Sequence, residues 1–227
     1  MNNYILKDNC FREKKENYNK VKEFLLKRIG NENAIASHHL AHIFNIKKRT
    51  IRLIIKDMIK QGYPVLSLSG EYKNGYFIPN NMNELNAFLN HRKSIIKKLK
   101  DKKEKLKSNF KNNENLSINP DQRKVYFAIN TGYENSITMK EISNKTNIYE
   151  LKEILDSLFW DKNYCIASTD KGFFIPVNED EVNLIIKNID NKIKNIQNSI
   201  NKIEVSGMGY VLQGELSNNG VATDFFR

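Results

Sequence analysis

Ile35-Ala-Ser-His-His-Leu40 returns 102 residues later as Ile137-Thr-Met-Lys-Glu-Ile142, and Gly75-Tyr-Phe-Ile-Pro79 returns as Gly172-Phe-Phe-Ile-Pro176. Between these anchors Asn45-Ile46 matches Asn147-Ile148, and Gly62-Tyr63 matches Asn163-Tyr164. The 227-residue chain therefore carries two copies of one unit, which calls for two small cores in place of one large one.

Hydrophobic spacing names the elements of each copy. Ile51, Ile55, Met58 and Ile59 fall at i, i+4, i+7 and i+8, and Leu151, Leu155, Leu158 and Phe159 repeat them, so each stripe predicts a helix with one buried face. A shorter helix precedes each, over Leu40 to Phe44 and Ile142 to Thr146. Ser37 signals the start of the first, and the capping box Thr138-x-x-Glu141 signals the second. Downstream, residues 63–69 and 75–78 predict two strands around a polar turn, with a shorter hairpin over 165–168 and 172–175. The fold class expected is mostly α with small β wings (α+β): two winged helix-turn-helix domains, each followed by a long helix.

The run of Ser-x-x-Leu-Ala, a turn, Arg49-Thr-Ile-Arg52, Gly62-Tyr-Pro-Val65 and Gly75-Tyr-Phe-Ile-Pro79 resembles the winged-helix domain of biotin-operon repressors. It is also similar to winged-helix regulators and replication initiators of phages and plasmids. The likeness covers residues 17–80 well and 119–177 more loosely. It implies the fold and DNA binding, without naming a promoter or an origin. The ligase domain of the repressor family has no room in this chain.

Charge separates the copies. The net charge is +11, but residues 1–115 hold 25 Lys and Arg against 11 Asp and Glu, whereas residues 116–204 hold 11 against 13. A positive field so concentrated attracts polyanions, so the first copy is the expected reader of double-stranded DNA. In a helix-turn-helix the second helix enters the major groove, and its outward N-terminal residues reach base edges. With Ile51, Ile55 and Met58 turned inward, Arg49 and Arg52 become the base readers, since a guanidinium pairs with guanine through two hydrogen bonds. Lys47, Lys48, Lys56, His38 and the hydroxyls of Ser37 and Thr50 suit phosphates. Tyr72 and Lys73 at the wing tip suit the backbone or the minor groove. The matching surface of the second copy reads Tyr149, Glu150, Lys152, Glu153 and Asp156, whose carboxylates repel phosphates. That copy is expected to bind a protein or its sister copy instead. The basic stretch from Arg92 to Lys107 either extends the phosphate track or is the solvated face of a long helix.

The long helices show seams of their own. Leu85, Phe88, Arg92, Ile95, Leu99, Lys102 and Leu106 step by three and four, as do Val182, Ile186, Ile189, Ile193, Ile196, Ile200 and Ile203. The second series is apolar throughout and must meet another helix, in the same chain or in a second copy. Self-association into a homo-oligomer is the expectation.

Several chemistries are disfavoured. His38, His39 and His42 have a metal-ligand spacing on a helix but lack a partner glutamate or cysteine, so they read as surface histidines. Pro120-Asp121 with Glu150-Leu-Lys152 mimics a nuclease signature, but its Glu-x-Lys opens a helix of the repeat. No phosphate loop, dinucleotide turn or nucleophile motif is present, and neither an enzyme nor a cofactor is expected. The two cysteines, Cys10 and Cys165, lie in different halves, and no run of about 18 apolar residues exists. A cytoplasmic protein without membrane contact is expected. The expected division is an N-terminal extension at 1–16, winged helix 1 at 17–82, a long basic helix at 83–107 and a linker at 108–119. Winged helix 2 follows at 120–178, then an Ile-rich helix at 179–205 and a flexible tail at 206–227. That tail, or winged helix 2, is the candidate contact for a protein partner.

Overall fold

Leu40, Ile51, Met58 and Ile78 in the first copy, and Ile142, Leu151, Leu158 and Phe174 in the second, are all withdrawn from solvent, so the spacings seen in the sequence do mark the inward faces. In the computed structural model, residues 16–68, 75–112 and 116–218 are described. The described residues are mostly helical, with two small antiparallel two-stranded sheets. Helix α1 covers residues 16–26, followed by α2 (Ser37–Ile43), α3 (Lys48–Lys60), the hairpin β1 (Leu66–Leu68) and β2 (Gly75–Phe77), and the long α4 (Met82–Asn112). The same order then repeats as α5 (Pro120–Ala128), α6 (Met139–Thr146), α7 (Leu151–Trp160), β3 (Ala167–Ser168), β4 (Phe173–Phe174) and α8 (Glu179–Asn218). Two compact units result, one from the residues up to Ser94 together with those from Ile196, the other from Ile95–Asn195.

The repeat extends to single hydrogen bonds. Ile35 pairs antiparallel with Tyr76 beside the first hairpin, and Ile137 pairs with Phe173 beside the second. Each helix pair turns at an asparagine in the left-handed region, Asn45 (φ 51°) and Asn147 (φ 58°), a conformation that asparagine tolerates better than most residues. Glu84 Oε1 accepts from the Asn31 amide and Oε2 from the Asn80 amide, both at 2.8 Å. Glu181 does the same for Tyr133 (2.7 Å) and Val177 (2.9 Å). In both copies the long helix is thus tied by its first-turn carboxylate to a one-turn 3-10 helix, Asn31–Asn33 or Tyr133–Asn135. The Asn-x-x-Glu spacings at 81–84 and 178–181 carry this signal in the sequence.

The first unit's core joins Val21 and Leu25 of α1 to Leu40, Ile51, Ile54, Ile55 and Met58. Ile54 lies outside the predicted stripe but is buried as well. In the second unit Val125, Ile142, Leu151, Leu155 and Leu158 form the equivalent core. A satellite cluster there gathers Leu106, Phe159, Phe174, Val182, Ile185 and Ile189.

Some expectations are corrected. Ser37 does not cap α2: Ala36 holds the cap position without a side-chain bond, because the Ile35–Tyr76 pairing keeps the chain extended up to that point. The Thr138–Glu141 capping box is present. The strands are shorter than expected, since Tyr63 bonds back to Met58 and Val65 to Tyr63 before pairing begins at Leu66. Residues 108–112 belong to α4 and not to a linker. Asn109 is 3% exposed, and its amide donates to the carbonyls of Phe159 (2.8 Å) and Tyr164 (3.1 Å). Residues 206–218 belong to α8 and not to a flexible tail: Val211 is buried, Tyr210 packs on the first core, and Gly207 sits against the Leu85 side chain. There glycine provides close approach, whereas the sequence suggested looseness. The N-terminal residues 1–15 and the end of the chain from 219 lie outside the described residues.

The isoleucine seam is met within the chain. Val182 and Ile189 are buried in the second unit, with Ile186 and Ile193 packed beside them. Ile200 and Ile203 are buried in the first unit, and Ile196 is half-buried. A second copy is therefore not needed to cover these seven positions.

Asn109→Leu is expected to leave the Phe159 carbonyl without its side-chain donor, while the Tyr164 carbonyl keeps the Ile166 amide, and to cost about 1–3 kcal/mol. Denaturant unfolding followed by the fluorescence of Trp160, the single tryptophan, reads this in the second unit.

Candidate nucleic-acid interface

Burial of Ile51, Ile54, Ile55 and Met58 fixes the roll of α3, and everything on its opposite side faces water. Lys48, Arg49, Arg52 and Lys56 are exposed there, with Lys47 just before the helix. None of these five cations takes part in an ion pair among the described residues. His38 of α2 is exposed, with its ring 4.1 Å from that of His39, while Ser37 and Thr50 are half-buried. Tyr72 and Lys73 lie outside the described residues.

Two features went unnoticed in the sequence. Leu53 is 56% exposed and stands in the stripe Arg49, Arg52, Leu53, Lys56, one apolar side chain among cations. Only the burial of Ile54 in place of its neighbour reveals it. In addition, α3 starts without a side-chain cap and with no acid in its first turn. The partial positive charge of the helix N-terminus is therefore left facing solvent beside Lys47, Lys48 and Arg49, an arrangement that favours anions.

The second copy differs in its surface residues, while α7 shares the start without a side-chain cap and adds Glu153 in its first turn. Aligned on Ile51 and Leu151, the positions of Arg49, Thr50, Leu53 and Lys56 are taken by Tyr149, Glu150, Glu153 and Asp156. Helix α6, the counterpart of the uncapped α2, closes its own N-terminus, with Thr138 Oγ1 accepting from the Glu141 amide and Glu141 Oε2 from the Thr138 amide at 2.8 Å. The bond from the Thr138 amide holds the Glu141 carboxyl below its ordinary range. Helix α7 begins at Leu151, three residues later than α3 does in register, and the missing turn leaves a groove of about 550 Å³. Met139, Ser143, Tyr149, Glu150, Glu153 and Asp156 line it, together with Lys140 and Lys152.

The lysine-rich stretch divides. Lys93, Lys97, Lys98 and Lys100 are exposed. Lys102 instead donates to Ser168 Oγ at 3.0 Å, Lys103 pairs with Asp190 at 2.7 Å, and Lys105 donates to Asn163 Oδ1 at 2.7 Å. Burial pushes the Lys102 amine below its ordinary range. Arg92 lies over the Phe88 ring, and burial lowers its pKa too. Within α4, then, only the exposed lysines remain available to a polyanion. Burial also pushes the Cys165 thiol up to about 12, which leaves it a neutral, unreactive group at physiological pH.

Among the described residues no group of three or more His, Cys, Asp or Glu is placed to hold a metal ion, and no helix is long and apolar enough to cross a membrane. Comparisons with known protein families, with curated proteins and with solved structures find no match for this chain.

Proposed function

We propose that the chain binds double-stranded DNA sequence-specifically through α3, each copy being a winged helix-turn-helix and only the first reading bases. The observation that carries this reading is the outward stripe Arg49, Arg52, Leu53, Lys56 on a helix whose N-terminus has no side-chain cap. Arg49 and Arg52 suit guanine edges, Leu53 suits a thymine methyl, and Lys47, Lys48, Lys56 and His38 suit phosphates. The strand pairing of Ile35 with Tyr76 beside a two-stranded hairpin also fits the winged arrangement. Such a module serves a transcription regulator or a phage or plasmid origin-binding protein equally well. Where the bound site lies relative to a promoter or an origin decides between them.

Gel shifts on genomic fragments test the reading. Binding to a selected fragment is expected to survive an excess of unrelated duplex. The three lysines that suit phosphates, Lys47, Lys48 and Lys56, give a salt slope of about −3, so affinity should fall by roughly one and a half to two decades between 50 and 200 mM salt. Equal competition by any duplex refutes specificity, and a flat salt response refutes the basic face as the contact. A second reading, an adaptor that joins proteins through these units, draws support from the acidic groove of the second copy. It predicts a partner complex indifferent to Arg49 and Arg52.

A further inference from the structure

The two copies differ most at the surface that projects from α3. Where the first copy raises a helical turn carrying Lys48, Arg49 and Thr50, the second lacks that turn and opens a groove. Glu150 and Glu153 on its wall are exposed and take part in no ion pair among the described residues, while Asp156 faces both the groove and the Lys102 amine. Tyr149, 86% exposed, and Met139, 39% exposed, offer apolar contact between the carboxylates. A raised cationic turn and a hollow lined by three carboxylates and two lysines are thus present on one chain, with opposite net charge.

We propose that the α6–α7 groove receives the basic face of α3 from a second copy of this chain. Arg49 and Arg52 then pair with Glu150 and Glu153, and Leu53 meets Tyr149 and Met139. Lys140 and Lys152 flank the groove and temper its charge, so the contact is weak and salt-sensitive. Because two different patches meet, the contact closes reciprocally in a pair or a ring, or extends into open chains, as the geometry of the two patches dictates. Helix α3 cannot hold a duplex and a groove together, so self-association would withdraw the chain from DNA. The contact itself goes beyond the DNA reading and does not depend on it.

Sedimentation velocity of the full chain without DNA tests the contact. At low ionic strength the wild type is expected to sediment faster as concentration rises and to revert to monomer in high salt. Reversing α3 (Arg49→Glu with Arg52→Glu) or the groove (Glu150→Lys with Glu153→Lys) should weaken association at least tenfold. Mixing the two reversed proteins should restore it, since each then presents the charge that the other lacks. The neutral pair Glu150→Gln with Glu153→Gln should give an intermediate loss, and it guards against a folding defect in the reversed groove. A wild type that stays monomeric at low salt, a groove variant that associates like the wild type, or a mixture that stays monomeric overturns the proposal. If association fails while the gel shifts succeed, the groove is wrong and the DNA reading stands; the reverse result leaves the groove and removes the DNA reading.

Discussion

Replacing Arg49 and Arg52 together by alanine is expected to abolish selection of the bound sequence and leave only weak, non-specific binding. A well-aligned arginine–guanine pair discriminates by about 1–3 kcal/mol, so the double variant should lose roughly 2–6 kcal/mol, or about 30-fold to more than 10⁴-fold, on its chosen fragment. On unrelated duplex the loss should be far smaller, since there the guanidinium groups contribute only their charge. Fluorescence anisotropy at one fixed salt concentration, on both duplexes, separates the two effects. Lys56→Ala should act otherwise, lowering affinity on both duplexes alike and flattening the salt slope by about one. If Arg49 and Arg52 lower both affinities equally, they hold phosphates, and base reading must come from elsewhere. The variants leave the core intact, because both side chains stand on the side of α3 opposite Ile51, Ile55 and Met58.

The inward faces of α3 and α7 were legible because a helix repeats every 3.6 residues and the apolar positions follow that period without interruption. The charged positions of the outer faces were legible for the same reason, reversed, but the apolar Leu53 among them was not. Most of what the spacings do not show depends on contacts between segments far apart in sequence. Asn109 looks like linker chemistry until the carbonyls of Phe159 in α7 and of Tyr164 beyond it are seen beside it, 50 and 55 residues further on. Gly207 looks like a source of disorder until Leu85 is seen pressed against it. Ile200 and Ile203 announce that something must cover them, yet no spacing says whether the cover is the same chain or another. The missing first turn of α7 is local, but its consequence is a hollow, and hollows leave no period in a sequence.

Gly172→Ala is expected to be among the most damaging single-methyl changes in the second unit. Gly172 has φ +137°, a conformation that side chains rarely adopt, and a Cβ built there would stand 2.3 Å from the Ile137 carbonyl oxygen and 2.6 Å from its carbon. Those atoms belong to the backbone and are held by the pairing of Ile137 with Phe173, 2.8 Å in each direction, so they cannot swing aside as a side chain would. Strain of about 1–3 kcal/mol and overpacking of about 1–3 kcal/mol combine to a loss of roughly 2–6 kcal/mol. Gly132→Ala separates the two contributions, because Gly132 also has a positive φ (+83°) but its nearest neighbours are side-chain atoms 3.6 Å away. Trp160 fluorescence during denaturant unfolding should show a distinctly larger loss for Gly172 than for Gly132. Since Ile137 leads directly into α6, the same change should loosen the groove and weaken self-association, while binding of the first copy to DNA is preserved. Equal losses at the two glycines would mean that the hairpin moves away from Ile137 at little cost and that the pairing beside β4 does not hold α6 in place.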